Sequence, residues 1–477
     1  MTSSKLCLLC LLGLHLSGYS IQEGTFEQYT QAEQRHIQPN VEADYHYPLL
    51  DQVQAPTPKK KLSLQEQMVN FFGTFVTSSP YPGVRATFEG TELMSQLSSV
   101  NKDLQILLEL EKSNEYIKKH NIPYPQHPRI FLSGQVEMTA LIQKDATSHP
   151  ESDIDLTGAE LDFLIVGSSW LYSYMSLQYD NSADSSLSNN RISNSRIKAD
   201  SLFISFGDFM SSPWYLTLGQ TYIPFGQYST YRAIFTPLTR SLFRILQRDV
   251  ALGFYNHNLQ LSVYAFRGPS DAGSGNNINN YGVNCGLHFQ IKELDAQIGI
   301  GAIRNISDSQ GMQQAFGAIG NSETLRHVVP GLNINTNLTW KNWHIIGEYN
   351  QALVPFNPQN MAFSSNGIDF KGAMPKAFDV ELAYTFKITT LPSSIAFAYS
   401  RSYQALGFNV PKDRMTLTWA LYVFKQTLLS LEINSDKLYS STSRATGELV
   451  TGNPYFINSS NLGHRDYTFG IDFLMYF

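Results

Sequence analysis

From Arg129 onward the sequence alternates apolar and polar side chains at period two, and the alternating segments are joined by connections that are in turn short and long. In the first segment Ile130, Leu132, Val136, Met138, Ala140 and Ile142 share one face, with Ser133, Gln135, Glu137 and Thr139 opposite. The pattern recurs in Ala159/Leu161/Phe163/Ile165, Leu202/Ile204/Phe206, Val283/Cys285/Leu287/Phe289/Ile291, Phe378/Val380/Leu382/Tyr384 and Met415/Leu417/Trp419/Leu421, among others. With weaker candidates near 213–223, 249–257 and 258–267, it predicts roughly sixteen strands, each about long enough to cross a bilayer at a tilt. Short turns fall at Gly167–Ser169, Asp208–Ser212, Asn256–Asn258, Lys292, Lys341–Asn342 and Thr389–Pro392. Long polar connections fall at 143–156, 180–199, 224–248, 268–280, 304–330, 352–375 and 437–464, with a shorter one at 403–410. A soluble sandwich has no reason to gather every long loop at one end, whereas a barrel in a membrane does. The pattern therefore predicts an all-β transmembrane fold, an antiparallel barrel of about sixteen strands over residues 129–477.

The closing segment sharpens this. Tyr467, Phe469, Ile471, Phe473, Met475 and Phe477 form a fully apolar strand face, with Asp466 and Asp472 on the other. It resembles the terminal strand of bacterial outer-membrane barrels. In those proteins this strand is read by the barrel-insertion machinery, which makes Phe473, Met475 and Phe477 the candidate insertion signal. No run of eighteen apolar residues exists, so spanning helices are excluded. Aromatics are 13% of the chain and the net charge is −6, a balance that gives no reason to expect nucleic acid as a partner. Lys5 followed by an apolar stretch to Leu16 reads as a secretory signal over 1–20, and an export signal in a chain without disulfides is compatible with a Gram-negative envelope, so the expected location is the outer membrane. The mature chain then keeps only Cys285, so no disulfide and no cysteine metal site is expected.

Between leader and barrel, residues 21–61 read as a flexible polar arm rich in proline and ending in Lys59–Lys61. Residues 62–128 read as a small periplasmic helical region. Residues 62–76, with Leu64, Met68, Phe71, Phe72 and Phe75, suit a short amphipathic helix. Further on, Leu93, Leu97, Val100, Leu104 and Leu107 recur at steps of four and three. That spacing fits either a single helix packed on the periplasmic mouth or a coiled coil that drives a homo-oligomer. Three stretches carry a family resemblance: Ser79-Pro80-Tyr81-Pro82-Gly83-Val84-Arg85, Ser98-Ser99-Val100-Asn101-Lys102-Asp103-Leu104, and Pro128-Arg129-Ile130-Phe131-Leu132-Ser133-Gly134-Gln135-Val136-Glu137. They resemble the LbtU-type siderophore porins, envelope proteins with a helical, coiled-coil-like region ahead of a barrel. The resemblance implies uptake of a ferric siderophore across the outer membrane without a classical plug domain, and it supplies no site motif.

The candidate site is the lumen. Alternation puts Glu160, Asp162, Asp295, Gln297, Glu348, Asp379, Glu381, Glu432, Asp466 and Asp472 on the inward face. The third long connection carries Arg232, Arg240, Arg244 and Arg248, the last three at i, i+4 and i+8. If 238–248 were helical, those three guanidiniums would line one face and form a constriction opposite the wall acids, attracting small anionic solutes. The competing reading is a loop whose arginines pair with wall acids for structure alone. No nucleophile elbow, paired metal-ligand histidines or phosphate loop appears, so no enzyme, metal or cofactor is expected. The function classes that remain are a siderophore porin, a general or anion-selective diffusion porin, and an envelope tether, each embedded in the lipid bilayer.

Overall fold

The computed structural model describes residues 76–78, 100–119, 128–145, 149–180, 196–270, 277–316, 325–424, 427–451 and 462–476. The expected leader, the polar arm and the amphipathic helix up to residue 75 lie outside the described residues, as do Leu93, Leu97 and Phe477.

One continuous sheet has seventeen members, of which one is the short segment Val76–Ser78 and the other sixteen form a closed antiparallel meander. In chain order these are β1 (Arg129–Lys144), β2 (Glu151–Ser168), β3 (Leu171–Asp180), β4 (Arg196–Gly207), β5 (Trp214–Tyr222), β6 (Leu246–Asn256), β7 (Leu259–Phe266) and β8 (Asn280–Ile291). The second half comprises β9 (Leu294–Ile303), β10 (Gly331–Trp340), β11 (Trp343–Ala352), β12 (Lys376–Ile388), β13 (Leu391–Tyr403), β14 (Asp413–Phe424), β15 (Thr427–Lys437) and β16 (Arg465–Tyr476). Each strand pairs with its sequence neighbours, and β16 returns to β1 with Val136 opposite Met475 and Ala140 opposite Ile471. The first strand starts earlier than the last one ends: β16 pairs only from Gln135 onward. Val76–Ser78 occupies the ladder position this leaves, running parallel to Ile130–Leu132.

The two faces of the wall follow the alternation. Leu202, Ile204, Val283, Leu287, Ile298, Ile300, Val380, Leu382 and Phe397 stand exposed on the outside. So wide an apolar band has no place in water and is what lipid requires. Phe473 and Met475 belong to this outer band. Four exposed tryptophans gather at one end: Trp170 in a short turn, Trp214 just after one, and Trp340 and Trp343 flanking a third. They make the interfacial aromatic girdle of the short-turn end. Three of those turns are two-residue hairpins whose first residue, Lys292, Lys341 or Thr389, takes a positive φ of 54° to 57°. That backbone matches the strand twist and keeps the loops at this end minimal.

Besides a small sheet of Ala362–Ser364, Lys371–Gly372 and Arg444–Thr446, three helices of six or more residues lie off the wall among the described residues. The helix α1 (Lys102–Lys119) precedes the barrel, α2 (Leu238–Phe243) lies in the third long connection, and α3 (Gln310–Ala315) lies in the fifth.

Candidate functional site: the occupied lumen

The third connection, residues 223–245, crosses the lumen and is held on the far wall by carboxylates. Glu348 on β11 accepts from the backbone N–H groups of Gln227 (3.1 Å) and Tyr228 (2.7 Å) and from Asn333 Nδ2 (2.7 Å). Gly226 permits this approach: its φ is +98°, and a Cβ there would lie 2.5 Å from Glu348 Oε1. Glu381 on β12 accepts from Thr230 Oγ1 and the Tyr231 N–H, both at 2.6 Å, and from Arg232 Nε at 3.1 Å. Arg232 Nη2 reaches Asp379 at 2.7 Å. Glu432 on β15 gathers the consecutive N–H groups of Ala233, Ile234 and Phe235, the latter two at 3.1 and 3.0 Å. Arg232 and Glu381 are fully buried. Charges removed from water in this way persist only when paired and saturated with hydrogen bonds, and here they are.

The predicted arginine ladder does not form. The helix α2 stops at Phe243, Arg244 adopts an extended backbone, and β6 has begun by Leu246. The reason is visible in Arg248-Asp249-Val250-Ala251-Leu252, where Val250 and Leu252 are exposed and Asp249 and Ala251 buried, a strand alternation that puts Arg248 outside the lumen. Arg232 is inside an ion-pair network rather than facing a passage. Arg244 stacks over the Tyr222 ring at 4.4 Å and donates from Nε to Gln310 on α3 at 3.0 Å. Arg240, half-buried, lies on α2. The acids are likewise divided among tasks. Glu348, Asp379, Glu381 and Glu432 hold the loop. Glu160 accepts from Gln135 Nε2 (3.0 Å) and Asp162 from Tyr174 Oη (2.7 Å) on the β1–β3 wall. Asp472 accepts from Thr139 at 3.0 Å, Asp295 is half-exposed at the short-turn mouth beside His288 (2.9 Å), and Asp466 is half-exposed near the start of β16.

The second occupant is α1. Leu104, Ile106, Leu107 and Leu110 are buried in one cluster with Phe131, Leu164, Val166, Tyr172, Tyr174, Phe203 and Tyr215. These partners are the inward residues of β1–β5, because their neighbours Ile165, Leu202 and Ile204 form the lipid face. The helix therefore lies inside the barrel near its short-turn end, rather than on the mouth. Of the described heptad positions, Leu104 and Leu107 are used up in this packing, and Val100, just before the helix, is buried in the cluster of the third connection. Burying four large apolar side chains contributes roughly 6–12 kcal/mol before the cost of ordering the segment. Polar fixing is concentrated at the first turn, where Tyr172 Oη donates to the Asp103 carbonyl (2.5 Å) and Thr217 Oγ1 to the Asp103 carboxylate (2.7 Å). Lys102 faces Asp162, Glu160 and Asp200, and burial lowers its pKa despite them. At the other end, burial and the nearby Glu115 and Asp208 push Glu111 up to about 7, against Lys112.

Sequence alternation does not single out Asp103, Lys102 or the aromatic inner wall. The available signal is the doubly apolar stretch Phe163-Leu164-Ile165-Val166 and the inward tyrosines of Leu171-Tyr172-Ser173-Tyr174. A strand apolar on both faces has an apolar partner on each side.

Between the start of α1, residues 227–229 of the loop and the β6–β9 wall lies a cavity of about 250 Å³. Asn101, Gln105, Gln227, Ser229, Tyr255, Gln260, His288 and Gln297 line it, together with Val100, Leu104 and Leu108.

A closed antiparallel barrel with an apolar belt, one aromatic girdle and a lumen crossed by its third connection is a porin-like transmembrane β-barrel, and such a barrel fits the outer membrane. The chain belongs to the UPF0422 protein family. It is 30% identical over 425 residues to a UPF0422 protein of Coxiella burnetii, covering 88% of this chain and 87% of that one. It is also 30% identical to a UPF0422 protein of Legionella pneumophila, covering 82% and 74%. No family model matches the chain. Solved structures with a similar arrangement include an anion-selective porin from Comamonas acidovorans (TM-score 0.48, 12% identity, 74% of this chain and 100% of that chain). Another is the outer membrane channel DcaP of Acinetobacter baumannii (TM-score 0.47, 12% identity, 75% and 99%). The names these proteins carry do not include a siderophore porin, so the family shown is UPF0422.

Proposed function

We propose that this protein is a selective uptake channel of the outer membrane whose passage is regulated by α1, with a ferric siderophore as its cargo. The observation that carries a selective rather than an open channel is the helix itself, seated inside the lumen against an aromatic wall and tied at Asp103. A segment that precedes the barrel and packs inside it narrows the path for every solute, and its removal from the path is then a controllable step. The siderophore assignment rests on the likeness of residues 79–138 to the LbtU-type porins. Growth of a deletion strain under iron limitation, with and without added ferric siderophore, tests it. The expected result is a growth defect that the siderophore relieves only when the protein is present. An unchanged iron response overturns the siderophore cargo.

A second reading, an anion-selective diffusion porin, is favoured by Arg240 and Arg244, two half-buried cations of the third connection. In planar bilayers, joint Arg240→Ala and Arg244→Ala substitution is expected to lower anion over cation permeability if these side chains act on permeating ions. An unchanged ratio sinks that reading.

A further inference from the structure

The cavity between α1, the third connection and the β6–β9 wall combines uncharged polar groups with the apolar side chains of Leu104, Leu108 and Leu259. Gln260, on the inward face of β7, is 8% exposed, and its Nε2 has no hydrogen-bond partner among the described residues. A buried amide N–H left in this state is destabilising, and a bound acceptor would remove that cost. Around it stand Gln227, whose Nε2 donates to Gln297 Oε1 at 2.8 Å, and the amides of Gln105 and Asn101 from the start of α1. Tyr255, whose ring stacks with His257 at 6.0 Å and packs against Phe209 at 5.3 Å, also lines the cavity. The imidazoles of His257 and His288 complete the described polar lining, and His288 is held by Asp295 at the exposed rim.

From this donor set we infer that the cavity is a binding site for an uncharged, hydroxyl-bearing solute of sugar-like chemistry. Amide side chains both donate and accept, which matches hydroxyl groups that do the same. An aromatic ring suits the apolar face of a sugar ring. A charged solute would lose hydration here with no lysine, arginine or carboxylate among the described lining residues to compensate it. The volume holds about eight waters at roughly 30 Å³ each, the space of one small ring. The site goes beyond the uptake reading and does not depend on iron transport. Since α1 supplies part of its lining, occupancy also bears on where the helix sits.

The test is calorimetric titration of the full-length protein in detergent with glucose, and separately with acetate and with spermidine. Saturable glucose binding, with neither ion binding as tightly, is the expected result. Gln260→Leu keeps the volume but removes the donor, and it is expected to weaken glucose binding about fivefold to tenfold, the effect of one lost neutral hydrogen bond. Retained heat-modifiable mobility on gels shows that the variant barrel is intact. No saturable glucose binding by the unaltered protein, tighter binding of acetate or spermidine, or undiminished glucose binding by a folded Gln260→Leu variant would each overturn the assignment. A failed iron-limitation experiment alongside intact glucose binding would remove the siderophore cargo and leave this site standing.

Discussion

The third connection and α1 both occupy the lumen and both bury apolar side chains there, but charge has a much larger share in holding the loop. The loop adds to its buried apolar residues, Phe225, Leu238, Leu242 and Phe243 among them, a charge network of one fully buried arginine, four carboxylates on three strands and a succession of backbone N–H donors. The helix is fastened by apolar contact, with directional bonds gathered at Asp103. Breaking one member of a buried charge network strands the others without water, so such a network releases all together or not at all. Apolar packing against a smooth wall has no comparable all-or-none penalty. Under the proposed function, the loop then belongs to the fixed wall of the channel and the helix is the part whose displacement opens the path.

The sharpest way to break this comparison is Arg232→Ala. It leaves Asp379 and Glu381 buried without their cation and is expected to cost about 3–5 kcal/mol. The measurement is a lowered urea midpoint together with noisy single-channel current. A variant as stable as the parent would show that the loop is not structural. Next in size is Leu107→Ala, expected to weaken helix docking by about 2–5 kcal/mol while leaving the barrel's midpoint unchanged. Raised conductance in planar bilayers is the readout, and unchanged conductance would mean that the helix does not obstruct the path. Asp103→Ala removes a single tether and should cost about 1 kcal/mol of docking, with a correspondingly smaller rise in conductance.

The smallest effect concerns pH. The Glu111 carboxyl is raised to about 7 when docked, so ionisation is disfavoured in the docked state. Its contribution to docking is fully present below the ordinary carboxylate range and is lost as pH rises through about 7. Conductance should therefore rise modestly between pH about 4.5 and about 7, and Glu111→Gln should flatten that slope. A slope that survives the substitution assigns it to another group.

Much of the wall is legible in the chain's own alternation. Period two assigns Ile165, Ile298, Val380 and Met475 to the outside, and Asp162, Glu348, Glu381 and Glu432 to the inside, because a strand leaves its side chains no third direction. What those acids bind is not legible, since Glu381 meets Arg232 across 149 positions of sequence. The arginine ladder fails at a boundary. Leu242, Phe243, Ile245 and Leu246 fit a helix stripe and the start of a strand alike, and burial inside the barrel decides between them. The helical region is readable as a helix, but its address is not. The same leucine spacing serves a partner helix or a tyrosine-lined wall, and only closure of the barrel supplies the wall.

The Arg232 network also has a mechanical consequence. A cylinder of hydrogen-bonded strands resists stretching along its ladder but is easily flattened, because flattening changes only the angle between neighbours. By joining the segment between β5 and β6 to β11, β12 and β15, the loop acts as a spoke across a hoop. Lateral pressure from the lipids then meets stiffness across the diameter, and the cross-section keeps room for the helix packed along one side of it.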